Sequence, residues 1–134
     1  MTMRTLHLIA FSLFALVLAS SAFSHVHEGP FPPQFAEAAP EVKNWLRSQK
    51  NPQKPGENCC NEKDGLDAQE DVKDGHYRVL LPREAYPKGE TPYWVDVPDD
   101  AVIKAPNLAY VPVAWYWHLN GRVVIRCFAP GAKL

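Results

Sequence analysis

The sequence predicts an α+β fold that is mainly β: a small antiparallel sheet, or a partly open barrel, of four to five strands with one N-terminal helix. Three observations carry this reading. Asn120-Gly121 stands between the apolar runs Val111–Leu119 and Arg122–Phe128. That is the strongest short-range hairpin signal, because both central residues of a type I′ turn need positive φ. Thirteen prolines in 134 residues favour loops and edge strands over long helices. Helical periodicity with matching end signals is confined to one segment, Pro40 to about Ser48.

Residues 1–24 read as a signal peptide. Arg4 gives a positive start, Leu8 to Ala19 is an uncharged apolar run of twelve residues, and small residues follow at Ser20, Ser21, Ala22 and Ser24. The run is shorter than the roughly 20 residues of a membrane-spanning helix. No cysteine follows it directly, so a lipid anchor is not expected. Cleavage is expected after Ser24, with Ala22 as the alternative. About 110 residues then remain, enough for one domain with one core. Without Arg4, thirteen Lys and Arg face fifteen Asp and Glu, a net charge of about −2. This argues against nucleic acid and anionic lipid as partners.

Residues 25–39 read as an extended Pro-rich arm, and 40–134 as a single domain. In the helix, Pro40 suits the first turn, and Val42, Trp45 and Leu46 share a face. Glu41 and Arg47 complement its dipole. Pro52 and Pro55 close it. Residues 51–75 read as a polar loop with seven acids. Tyr77, Val79 and Leu81 alternate with Arg78 and Leu80 as a strand, and Tyr93, Val95 and Val97 as another. Ala101–Lys104 is a candidate edge strand. In the final hairpin, a two-residue loop sets Leu119 opposite Arg122 and, continued without interruption, Trp115 opposite Arg126 and Ala114 opposite Cys127. Tyr116, Ile125, Val123, Ala114 and Cys127 then share one face, and Val113, Trp115, Trp117, Val124, Arg126 and Phe128 the other. Both faces are largely apolar, so the hairpin is expected to be central and covered on both sides.

Three cysteines, Cys59, Cys60 and Cys127, in an exported chain imply one disulfide and one remaining sulfur. The expected pair is Cys60 with Cys127, with Cys59–Cys127 as the close alternative. A vicinal Cys59–Cys60 bond would need a strained small ring. A thiol-disulfide redox protein is a further reading, but Cys-x-x-Cys spacing and a βαβ frame are both missing.

Gly56-Glu-Asn-Cys-Cys-Asn-Glu-Lys-Asp-Gly65, then Tyr93-Trp-Val-Asp-Val-Pro98, then Asn120-Gly121 leading into Ile125-Arg-Cys-Phe-Ala-Pro-Gly131 together span most of the domain. This order of motifs resembles a family of small exported bacterial proteins of unassigned function. The resemblance implies an architecture and a compartment, and no activity. In some relatives a cysteine stands where Gly65 stands here. That departure removes a possible second disulfide and accounts for the odd sulfur.

Either cleavage site leaves a histidine third, as His27 or His25. An amine, two amides and an imidazole suit square-planar Cu(II) or Ni(II). The bland alternative is a solvated end. The acids from Asn61 to Asp67 lack the first and last ligands of a calcium loop, so a solvated loop is the better reading. Trp115, Trp117 and Phe128, with Arg126 across Trp115, form either a stacking platform or core packing against Trp45 and Leu46. His118, beside the turn, reads as a surface residue. No Ser-His-Asp set, phosphate loop or carboxylate pair is legible. The expected function is a non-catalytic binding or structural module of the cell envelope, exported to the periplasm or beyond, with an envelope protein or small ligand as partner.

Overall fold

The computed structural model describes residues 31–60 and 65–132. The predicted signal peptide, His25 and His27 lie outside these residues. The fold is mainly β, as expected; the described residues form six strands in two antiparallel sheets, where a single sheet of four or five was expected, and no closed barrel.

Helix α1 runs Pro40–Ser48, with Pro40 in its first turn, Glu41 near its start and Arg47 near its end. Its apolar face buries Trp45 and Leu46. Gln49 turns extended and stops it. The orphan carbonyls of the last turn find donors: Ser48 Oγ and Gln49 Nε2 donate to the Trp45 carbonyl (3.0 and 2.8 Å), and the Cys60 thiol donates to that of Leu46 (3.3 Å). The end of the predicted arm belongs to this layer. Pro33–Phe35 forms a 3₁₀ turn, Phe35 is buried, and Phe31 lies under the Arg47 guanidinium at 3.9 Å.

The segment expected to be a polar loop up to residue 75 contains two strands, β1 (Leu66–Asp67) and β2 (Gln69–Lys73). They are one extended stretch shared between the sheets. β1 pairs with β5 (Val113–Leu119); beyond Ala68, whose N–H donates to the Pro112 carbonyl (3.0 Å), β2 pairs with β3 (His76–Leu80). Asp74 and Gly75 both have positive φ and close the β2–β3 hairpin in two residues. The sheets are ordered β1-β5-β6 and β2-β3-β4, with β4 at Val95–Asp96 and β6 at Arg122–Ala129. The candidate edge strand at Ala101–Lys104 is instead a 3₁₀ turn, Asp99–Ala101, followed by a parallel bridge of Val102 to Phe128. Tyr86 ties the long β3–β4 loop inward: its hydroxyl donates to the Tyr93 carbonyl (2.7 Å) and accepts from the Leu81 N–H (3.2 Å).

The β5–β6 hairpin is central and covered on both faces. Ala114, Tyr116, Val123, Ile125 and Phe128 pack with Val79 and Val95 of the second sheet and with Leu81 and Val97, which directly follow its strands β3 and β4. Val113, Trp115, Cys127 and Ala129 pack with Phe35, Trp45, Leu46, Cys59 and Cys60 of the helical layer.

The register corrects the sequence reading at one point. Leu119↔Arg122 through Tyr116↔Ile125 follow the two-residue turn, but the next pair is Trp115↔Cys127. Arg126 is an extra residue in β6, a β-bulge. Because side chains alternate with period two, one inserted residue reverses the facing of everything beyond it. Cys127 moves from the expected Tyr116 face to the Trp115 face, and Phe128 moves the other way, onto Tyr77 at 5.2 Å between ring centres.

Gly65 shows how tightly the helical layer is filled. A Cβ there would stand 2.6 Å from Val113 Cγ1, 2.7 Å from Trp115 Cε2 and 2.9 Å from Trp115 Nε1. A side chain at this position would overpack the core, which typically costs about 1–3 kcal/mol. Gly65→Ala is therefore expected to lower the urea unfolding midpoint with little change in slope. An unchanged midpoint would show that the indole has room to move.

Candidate functional site

The sulfurs define the centre of the helical layer. Cys59 and Cys127, 68 positions apart in sequence, form the disulfide, with a Cα–Cα distance of 5.8 Å. This corrects the expected Cys60–Cys127 pair in favour of its alternative. The two adjacent cysteines diverge. Cys59, whose N–H donates to the Gln49 carbonyl (2.8 Å), meets the last strand. Cys60 turns under the helix, donating to Leu46 and accepting from Trp115 Nε1–H at 3.0 Å. All three sulfurs are sealed, none more than 2% exposed. Trp115 Nε1 is the shared neighbour of Cys60 and of any side chain at 65. A cysteine at position 65 would approach Cys60 only if that indole gave way.

The expected aromatic face is divided by the bulge. Trp115 is buried against Trp45, with ring centres 6.3 Å apart, and Phe128 is buried on the opposite face. Neither is available to a ligand, so a four-residue platform of Trp115, Trp117, Arg126 and Phe128 is not formed. Trp117 and Arg126 remain together. Arg126 lies over Trp117, not Trp115, with its guanidinium 5.4 Å from the ring centre. Lys54 reaches the same ring, its Nζ at 5.7 Å. Trp117 is half-buried, while Arg126 is 9% exposed. Lys54 was not legible as a site residue. Its loop is 63 positions from Trp117 in sequence, and only the fold brings them together.

A cleft lies elsewhere on the described residues. About 610 Å³ lies between residues 48–52, which leave α1, and residues 99–105. One wall is the end of α1 and the extended stretch after it, the other the 3₁₀ turn Asp99–Ala101 and the extended residues that follow, and each is held from behind. Lys50 bridges to Asn58, and its Nζ donates to Asn58 Oδ1 (2.6 Å); Ile103 N–H donates to the Phe128 carbonyl (2.7 Å). Pro52, Val102 and Ile103 give apolar walls, and Asp99, Asp100, Lys50 and Lys104 a charged rim.

On the neighbouring surface His76 Nδ1 lies 2.8 Å from Asp99 Oδ1. The bond to Asp99 raises the His76 pKa above its ordinary 6.5, with smaller help from the Asp74 and Asp96 charges. The sign follows. A raised folded pKa stabilises the fold fully below pH 6.5, and the contribution fades as pH rises through the higher folded value. The His76 ring signals are expected to titrate with a midpoint above 6.5 and to shift downward in Asp99→Asn; equal midpoints would contradict the pairing. His118, an exposed residue, donates from Nε2 to the Ala85 carbonyl (2.9 Å). Among the described residues no group of three or more His, Cys, Asp or Glu is arranged to hold a metal ion. His25 and His27 lie outside them. No described helix is long and apolar enough to cross a membrane.

No protein-family model, curated protein or solved structure matches this chain.

Proposed function

We propose that the chain is an exported, non-catalytic binding module of the bacterial cell envelope, with the cleft between residues 48–52 and 99–105 as its binding surface. The observation that carries the export reading is the buried Cys59–Cys127 bond. Such bonds form and persist in oxidising compartments. A concave, mostly preformed cleft with apolar walls and a few polar groups is the usual form of a ligand site. The thiol-disulfide redox reading is disfavoured by burial: attack needs an accessible thiolate, and Cys60 has no exposed surface.

Thiol counting and cell fractionation test this together. The native periplasmic protein is expected to show no titratable thiol, and one per chain after denaturation without reductant. A thiol reacting in the native protein would support the redox reading, and recovery only from the cytoplasm would end the export reading. Turnover by the purified protein would end the non-catalytic one. The Cu(II) or Ni(II) reading of the N-terminus has its own test, a Cu(II) titration of the mature protein. Tight binding lost in His25→Ala and His27→Ala supports it, and no binding ends it.

A further inference from the structure

We propose that Arg126, Lys54 and Trp117 form a receptor for an oxyanion group, a carboxylate or a phosphate, on a small ligand. This goes beyond the cleft reading and does not depend on it.

Arg126 is the bulge residue of β6 and more than nine-tenths buried. Buried guanidinium groups are normally matched by carboxylates, because an unmatched charge in a low-dielectric setting is costly. Arg126 has neither an ion pair nor a hydrogen bond among the described residues; its described partner is the Trp117 ring. Its nitrogens are not among the sealed, unsatisfied atoms, so the N–H fork reaches solvent while the stem is covered. Lys54 adds a second cation over the same indole. Its acidic neighbour, Glu57, lies at 3.7 Å in an exposed pair that binds weakly. Two cations within 6 Å of one ring centre repel each other, and an anion held by the Arg126 fork offsets that repulsion. The guanidinium fork matches a carboxylate or phosphate with two parallel charge-assisted hydrogen bonds. The indole holds the fork in place through cation–π contact. A bulge is a common device for re-aiming a side chain at a site.

Sodium acetate and sodium phosphate, titrated separately at ionic strength matched with chloride, distinguish the two sources of the group. The readout is NMR of the Trp117 indole N–H, assigned with Trp117→Phe, and of the Arg126 Nε–H. A saturable shift with acetate or phosphate is expected, and the tighter of the two names the ligand's anionic group. Arg126→Gln is expected to weaken it by about tenfold or more, and Lys54→Gln by about threefold. Should Arg126→Gln lose its native near-ultraviolet signal, Lys54→Gln, at an exposed position, carries the test alone. Shifts that follow ionic strength equally in chloride, or binding unchanged in the variants, would overturn the proposal.

Discussion

Replacing Cys127 with Ser is expected to destabilise the protein by roughly 4 kcal/mol, from the entropy released when a 68-residue closure is opened in the unfolded chain. That is a large part of the 5–15 kcal/mol typical of a whole domain. Cys59→Ser should cost the same, and the double variant no more than either single one, because both remove one bond. Cys60→Ser should behave differently. It keeps the disulfide and weakens only the thiol's contacts with the Leu46 carbonyl and the Trp115 indole, a loss of about 1 kcal/mol. Denaturant unfolding of the four variants without reductant checks this. Equal large losses for Cys60→Ser and Cys127→Ser, with a small one for Cys59→Ser, would mean that the other adjacent cysteine makes the bond.

Trp115→Ala is expected to cost about 3–5 kcal/mol, the range for removing a large aromatic from a close-packed interior. Its side chain is 1% exposed and stands between the edge of Trp45, the Cys60 sulfur and the Gly65 backbone. Trp115→Phe should cost less, since most of the ring volume stays and only the indole N–H to sulfur contact is lost. A solvent-facing platform residue would give another pattern: a change within about 0.5 kcal/mol on truncation. A thermal or denaturant midpoint that hardly moves in Trp115→Ala would place this ring outside the core.

The parts of the fold that were legible in sequence are those with local causes. α1 ends where Pro52 and Pro55 follow a short amphipathic run, and its expected bounds match Pro40–Ser48. The β5–β6 turn follows from Asn120-Gly121, both at positive φ. The inward positions Val79, Leu81, Val95 and Val97 follow from alternation, and all are buried. β2 was missed because Gln-Glu-Asp-Val-Lys carries no apolar alternation: it is an edge strand, half to fully exposed. The Asp74-Gly75 pair was the signal that could have found it. The bulge at Arg126 has no such local mark. It is set by packing, which gains the buried disulfide on one face and Phe128 against Tyr77 on the other. The choice between Cys59 and Cys60, the division of the aromatic face and the meeting of Lys54 with Trp117 all depend on contacts far apart in sequence.

Peptide mapping of the alkylated, unreduced protein tests the central claim, that an extra residue at Arg126 turns Cys127 towards the helical layer and onto Cys59. The expected result is a cross-linked peptide pair joining the Cys59-Cys60 segment to the Cys127 segment, with fragmentation between the adjacent cysteines placing the bridge on Cys59 and the alkyl label, added after denaturation, on Cys60. A bridge on Cys60, or a Cys59–Cys60 bond with Cys127 labelled, would contradict it.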